Sequence, residues 1–119
     1  AAFEEKPGNA ALYRAHCSLK AQYGLQLESA LKDCTRATEL SENSSSALED
    51  RGLAYWRMDR KDAAIEDWRS ALLTNPDAPH ARWLLGLAQG GRAGAQMQRE
   101  AILMDEELPL ELKNWGIAD

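Results

Sequence analysis

The sequence lacks the features that mark membrane-spanning and nucleic-acid-binding chains. None of its apolar runs approaches the roughly 18 residues that a membrane span requires. Lys and Arg total 14 against 19 for Asp and Glu, so the net charge of −5 leaves no basic excess to neutralise phosphates or anionic lipid. Because 45% of the 119 residues are hydrophobic and 28% are charged, we expect one globular domain whose partners include neither nucleic acid nor membrane.

Proline and glycine are few, and they are concentrated at short joints. The joints are 6–9 (KPGN), 75–79 (NPDAP), 90–94 (GGRAG) and 108–109 (LP), with a polar joint at 41–46 (SENSSS). Between the joints, segments of about a dozen residues carry apolar side chains at helical spacing, and no convincing period-two alternation marks a strand. The sequence therefore predicts an all-α fold.

The clearest pair of predicted helices covers residues 46–58 and 62–74. Their facing positions are small or bulky: Leu48, Gly52 and Tyr55 in the first helix, and Ala64, Trp68 and Ala71 in the second. Small residues opposite large ones let two antiparallel helices approach closely. Pro76 cannot continue the second helix, and it forces Asn75 out of helical geometry. We therefore expect a helical hairpin that needs neighbours to cover its remaining apolar surface.

A period of 34 residues extends this pattern along the chain. Thirty-four residues before the inward positions 64, 68 and 71 of the second helix stand Ala30, Cys34 and Ala37. Thirty-four residues after Gly52 stands Gly86. The period and the residue types resemble the tetratricopeptide repeat, a helix–turn–helix unit of 34 residues. The resemblance implies a right-handed stack of about three hairpins with a C-terminal capping helix. Under this resemblance, residues 1–119 are expected to form one domain. Repeat 1 covers 10–43, repeat 2 covers 45–78, repeat 3 covers 79–106, and the capping helix covers 108–117.

The match to the family pattern is strongest in the middle repeat. That repeat departs from it at Leu48, where the family has Trp, and at Arg51, where the family has Leu. The first repeat is degenerate, with Ser18 where the family prefers Gly. The third is about one helical turn short, and Gly94 and Ala101 fit its small positions only with that shortening. The predicted capping helix carries Leu108, Leu112 and Trp115 on one face.

The cysteines Cys17 and Cys34 occupy facing positions of the first hairpin under this register. Facing positions of a tight hairpin can meet the Cα separation that a disulfide requires, and the bond would stabilise the fold by roughly 3 kcal/mol. Two buried, reduced and inert thiols are the alternative. The layout also resembles that of extracytoplasmic bacterial tetratricopeptide proteins. A disulfide would imply an oxidising compartment, periplasmic or secreted, and the cytoplasm is the alternative.

No group of residues has the spacing that catalysis or metal binding requires. His16 and Cys17 are adjacent, so in a helix their side chains point about 100° apart and cannot readily exchange a proton. A zinc site would have to recruit Cys17, Cys34, His16 and His80, which show neither CxxC nor HxxxH spacing. The GGRAG joint has no preceding strand and no following Gly-Lys-Ser/Thr, unlike a phosphate-binding loop. We therefore expect no enzyme activity, no cofactor and no metal.

The resemblance also implies a binding groove, because the first helix of each repeat lines the concave face of such a stack. The predicted lining is Leu12, Leu19, Tyr23, Glu49, Leu53, Trp56, Arg57, His80, Trp83 and Leu87. Exposed aromatic residues over an apolar groove are typical of interfaces, so Trp56 and Trp83 are expected to anchor the partner. We predict a protein–protein interaction module, an adaptor or assembly scaffold that binds a peptide or helix. Self-association through the apolar end of the third repeat is the alternative, and a thiol-redox protein is a remote one.

One well-known partner class of the family, the acidic C-termini of heat-shock chaperones, is not expected here. Family members that bind them carry Lys, Asn and Arg on the groove-lining helices. The comparable positions here are Ala15, Leu19, Asp50 and Leu84. No cationic clamp would meet the partner's carboxylate, and the neighbouring Glu49 and Asp50 would repel it.

Overall fold

The structure, a computed structural model, describes residues 9–117. Every regular element in this range is an α-helix, and none of these residues forms a strand. The helices are α1 (Ala10–Tyr23), α2 (Leu27–Leu40), α3 (Ser45–Arg57), α4 (Lys61–Thr74), α5 (Pro79–Gln89), α6 (Gly91–Met104) and α7 (Leu108–Asn114). The predicted all-α fold is confirmed, while residues 1–8 and 118–119 of the predicted domain lie outside the described range.

The helices pack as consecutive pairs. α1 packs against α2, α3 against α4, and α5 against α6. The first pair contacts the second because α3 packs against both α1 and α2, and the second pair contacts the third through α4 and α5. The molecule is elongated, with extents of 47 × 26 × 26 Å. The middle pair has the expected bounds to within one residue at each end, since the sequence predicts helices over 46–58 and 62–74.

Local sequence explains where several helices begin and end. Asn9 and Ser44 cap α1 and α3, because their side-chain oxygens accept hydrogen bonds from backbone amides three residues on, at 3.1 and 3.3 Å. α4 ends at Asn75, which takes extended geometry before Pro76 as predicted. α5 ends at Gly90, whose φ of 69° is left-handed and therefore suits glycine. The double glycine thus separates α5 from α6.

Trp68 fills the contact between α3 and α4, and it is wholly buried. A Cβ atom at Gly52 would lie 2.7 Å from Cδ1 of the Trp68 ring, closer than real side chains pack. The indole nitrogen donates a hydrogen bond to the carbonyl of Glu49 at 3.2 Å, so this buried N–H is satisfied. The predicted pairing of a small residue with a bulky one therefore holds at this contact.

α5 and α6 approach each other closely through glycines on both helices. Gly86 and Gly94 are buried, and a Cβ atom at Gly86 would lie 2.6 Å from the carbonyl oxygen of Gly94. Ala101 is also wholly buried. α5 has 11 residues against 14 in α1. Gly94 and Ala101, which the sequence analysis assigned to small positions of the third repeat, are thus both buried.

Cys17 of α1 and Cys34 of α2 face each other inside the first hairpin. Their Cα atoms are 4.9 Å apart, their sulfur atoms lie at disulfide distance, and both residues are wholly buried. The predicted juxtaposition is confirmed.

α7 packs its apolar face on the core of the last two hairpins. Leu108 and Leu112 are wholly buried and belong to the same hydrophobic cluster as Leu84. Beyond the helix, Trp115 and Ile117 pack against this cluster and also against a second one. The second cluster consists of Cys17, Ala21, Cys34, Leu53 and Ala54. The C-terminal segment therefore does more than cap the last hairpin, because it also contacts the first two.

Candidate functional site

A cavity of about 390 Å³ opens between α1, α3, α5 and the C-terminal segment. Its polar walls are Arg14, Ser18 and Gln22 from α1, Ser46, Glu49 and Asp50 from α3, His80 from α5 and Glu111 from α7. Leu53, Leu84 and Trp115 supply apolar surface. We call it the acidic cavity because three carboxyl groups line it.

Burial changes the protonation of two carboxyls in the acidic cavity. Loss of hydration raises the pKa of Glu49 to about 7, although the charge of His80 and a backbone hydrogen bond from Ala81 oppose the shift. Loss of hydration also raises the pKa of Asp50 to about 7, against the opposing charge of Arg14. Near neutral pH both carboxyls are partly protonated, so each can donate as well as accept a hydrogen bond.

His80 links three helices at the edge of the acidic cavity. Its Nδ1 lies 3.9 Å from a carboxyl oxygen of Glu49, and its Nε2 lies 3.3 Å from one of Glu111. Its ring stacks on Trp115, with centroids 5.4 Å apart and planes 21° from parallel. α3, α5 and α7 therefore meet at one side chain.

Within residues 9–117, one group of side chains has the geometry of a metal site. His80, Asp105 and Glu111 each offer a ligand atom, and these atoms all lie within 4.8 Å of one another. A carboxyl oxygen of Asp105 already accepts a hydrogen bond from the amide of Glu107 at 3.1 Å. His80 is paired with Glu111 and stacked on Trp115. These contacts give the three side chains a structural role, and we therefore assign no ion to the cluster.

Arg57 ties the first hairpin to the C-terminal segment through backbone carbonyls. Its Nε donates to the carbonyl of Ala21 and its Nη2 to that of Gln22, both at 2.6 Å. Nη2 also donates to the carbonyl of Trp115 at 2.5 Å. These carbonyls lie at the C-terminal ends of α1 and α7, where the helix dipole is negative and favours a cation. Burial lowers the pKa of Arg57, but an arginine starts so far above neutrality that it stays charged.

A second cavity, of about 440 Å³, lies beside Arg57. We call it the Trp56 cavity, and its walls are Gly24, Leu27, Trp56, Arg57, Leu87, Gly116 and Ile117. The ammonium of Lys61 lies 5.4 Å from the centroid of the Trp56 ring, a cation–π distance. This cavity therefore combines aromatic and aliphatic surface with two cations nearby.

The predicted groove residues divide between the two cavities and the rest of the surface. Glu49, Leu53 and His80 line the acidic cavity, while Trp56, Arg57 and Leu87 line the Trp56 cavity. Leu12 and Trp83 are half-buried outside both cavities, and Leu19 and Tyr23 are exposed. The structure thus brings together the predicted residues of α3 and part of those of α5, but not those of α1.

The sequence analysis did not predict the residues that α1 and the C-terminal segment contribute to the acidic cavity. Arg14, Ser18 and Gln22 line the acidic cavity, whereas the repeat register pointed to other residues of the same helix. Which face of α1 meets the cavity depends on the rotation of the first hairpin against the second, and a sequence period does not specify this. The spacing of Trp115 after two leucines signals an amphipathic segment, but not the surface that receives it.

No protein-family model matches the chain, and no curated protein matches it. None of the helices described within residues 9–117 is long and apolar enough to cross a membrane.

Proposed function

We propose that the chain is a non-catalytic protein–protein interaction module, an adaptor or assembly scaffold that binds a peptide or helix. The binding site is the groove formed by the acidic cavity and the Trp56 cavity. The proposal includes a tetratricopeptide-like, right-handed stack of about three hairpins. Its support is the period of 34 residues together with three consecutive helix pairs followed by a C-terminal helix.

One observation carries this proposal: the groove already holds the residues that follow α7, a short amphipathic helix. Trp115 and Ile117 rest on its apolar surface, and Arg57 donates a hydrogen bond to the Trp115 carbonyl. Every peptide offers backbone carbonyls, so a donor of this kind suits a protein ligand of many sequences. Apolar contacts beside such a donor are the features that grooves use to bind helices and peptides.

The charges of the acidic cavity disfavour a partner segment with strong negative charge, whereas the two cations of the groove's other half lie at the Trp56 cavity. Arg14 and His80 share the acidic cavity with Glu49, Asp50 and Glu111. An acidic C-terminus, such as that of a heat-shock chaperone, would therefore meet more carboxyls than cations. The net charge of −5 gives no support to nucleic acid or membrane as a partner.

We propose no catalytic role for the cysteines, and we favour an oxidising compartment. Cys17 and Cys34 are wholly buried, so neither sulfur is accessible to a substrate. A pair at disulfide distance is maintained in the periplasm or outside the cell, whereas cytosolic reductants keep most thiols reduced. The proposed location is therefore periplasmic or secreted, with the cytoplasm as the alternative.

The test is the selection of peptides from a random displayed library on the full chain. Leu87 lines the Trp56 cavity and is 37% exposed, so Leu87→Glu places a charge in the groove with little effect on the core. Leu73 of α4 is 85% exposed and lines neither cavity, so Leu73→Glu is the matched control. We expect the selected peptides to bind the control normally and to bind Leu87→Glu about tenfold or more weakly, because the substitution replaces apolar contact surface with a carboxylate that a bound peptide would have to desolvate. Equal binding to both variants, or no selected peptide, would refute the groove proposal.

Self-association is a second candidate, favoured by apolar residues exposed near the C-terminal end. Leu103 of α6 is 88% exposed and Leu110 of α7 is 63% exposed. Side chains of this kind are covered when a second copy packs on them. Light scattering over a range of concentrations tests the idea on the unmodified chain and on Leu103→Glu/Leu110→Glu. A dimer that the double substitution dissociates would support self-association, and a strict monomer would exclude it.

A further inference from the structure

The C-terminal residues Trp115–Ile117 lie in the groove that we propose as the binding site. The ring of Trp115 stacks on His80 at the acidic cavity, and its carbonyl accepts a hydrogen bond from Arg57. Ile117 reaches the Trp56 cavity. We call Trp115–Ile117 the plug, because it covers surface that a partner would contact.

The plug is held less firmly than the helix that precedes it. Leu108 and Leu112 are wholly buried, whereas Trp115 and Ile117 are only half-buried. Gly116 between them has a φ of 76°, and a Cβ atom there would meet nothing within 4 Å. Because the protein does not pack around Gly116, motion of this residue displaces no neighbouring side chain. Release of the plug requires the chain to open at the end of α7, beyond the exposed Asn114. This breaks the hydrogen bonds from the plug's amides to α7 but leaves Leu108 and Leu112 buried.

The plug also fills the groove incompletely. The acidic cavity, about 390 Å³, is lined on one side by Trp115, and the Trp56 cavity, about 440 Å³, is lined by Gly116 and Ile117. A ligand that occupied the positions of the plug and extended into this space would bury more apolar surface than the plug does. A competitor of similar chemistry can therefore bind the groove more tightly.

We propose that Trp115–Ile117 is a displaceable plug, and that the partner is a protein segment with an aromatic and an aliphatic side chain two residues apart. This inference rests on the proposed function. The partner's aromatic ring stacks on His80, its aliphatic side chain enters the Trp56 cavity, and one of its carbonyls accepts a hydrogen bond from Arg57. Because plug and partner exclude each other, the intact chain binds more weakly than the open groove does.

The experiment compares the full chain with its Trp115→Ala/Ile117→Ala variant. The probe is a capped pentapeptide with the sequence of residues 113–117, titrated while the methyl NMR signals of Leu53 and Leu87 are followed. We expect the variant to bind the pentapeptide at least about tenfold more tightly than the unmodified chain, since no intramolecular competitor is present. Leu110→Ala changes an exposed residue of the same segment and should behave like the unmodified chain. Equal binding by both chains, or no binding by the variant, would overturn the proposal.

A second measurement keeps the proposal testable if the double variant does not fold. In the unmodified chain, the amides of Gly116 and Ile117 donate to the carbonyls of Lys113 and Leu112, at 3.0 and 2.9 Å. Excess pentapeptide should accelerate hydrogen exchange at these two amides and leave the amides of α7 unchanged. Exchange that the pentapeptide does not alter would show that the plug stays in place.

The outcomes also separate this proposal from the proposed function. Library peptides that bind the unmodified chain and the double variant with equal affinity would retain the groove as the binding site and refute the plug. Pentapeptide binding that needs the double variant, without any groove-binding peptide from the library, would retain the plug as an intramolecular contact and refute the binding of a separate partner.

Discussion

Glu49 shows how burial in the groove couples folding to pH. Its pKa rises from 4.5 to about 7, chiefly because the carboxyl loses hydration. Between these values the folded chain binds more protons than the unfolded chain, so its stability falls as the pH rises through this window. Above about pH 7 the carboxyl is ionised in both states, and the stability no longer changes through this group.

Replacing Glu49 by glutamine should remove this pH dependence, because an amide does not ionise. We expect Glu49→Gln to be more stable than the unmodified chain by roughly 1–3 kcal/mol at pH 8, with a smaller difference at pH 4. Urea unfolding at both pH values measures the effect. Glu66→Gln, on the exposed face of α4, is the control and should show no gain that depends on pH. The same advantage at both pH values would contradict the raised pKa of Glu49.

The helices differ in how far the sequence could predict them. The hairpin of α3 and α4 carries its own signals, with Gly52 opposite Trp68 and a proline after Asn75, so its bounds and its packing follow from local spacing. The contact of Gly86 with Gly94 depends on a shortened α5, and it could be placed only by assuming the repeat register. Predictions are therefore firmest where the residues in contact belong to neighbouring, complete helices.

The candidate site could be predicted only in part, for the same reason. Glu49 and His80 follow from the register of α3 and α5, because each helix has one face fixed inside its own hairpin. Leu19 and Tyr23 were expected in the groove but are exposed, since the first hairpin turns another face of α1 toward the acidic cavity. Trp115 comes from the end of the described chain, and local spacing cannot place such a distant segment.

The contact between α3 and α4 gives a direct test of close packing. A methyl group at Gly52 would overlap the ring of Trp68, which is wholly buried. We expect Gly52→Ala to lower the free energy of unfolding by about 1–3 kcal/mol, although alanine favours a helix more than glycine does. Urea unfolding measures the change, and Arg69→Ala on the exposed face of α4 should stay within about 0.5 kcal/mol. A Gly52→Ala variant that is more stable than the unmodified chain would show that α3 and α4 can move apart without losing stabilising contacts.

At the scale of the whole molecule, Arg57 connects the first hairpin with the C-terminal segment. It donates to carbonyls at the end of α1 and at the end of the C-terminal segment, which are far apart in sequence. Because Arg57 joins the first hairpin to the plug, its substitution should affect both the stability of the chain and the occupancy of the groove.

We expect Arg57→Ala to lower the free energy of unfolding by about 2–3 kcal/mol, since it leaves half-buried carbonyls without their donor. Arg57→Lys should recover only part of this loss, because an ammonium lacks the planar fork that reaches carbonyls on two segments at once. Hydrogen exchange at the Ile117 amide should accelerate in both variants, which distinguishes release of the plug from uniform destabilisation. Arg36→Ala is the control, since Arg36 pairs with Glu39 at 3.8 Å on the surface and exposed pairs contribute little. Unchanged exchange at Ile117 in Arg57→Ala would mean that Arg57 does not hold the plug in place.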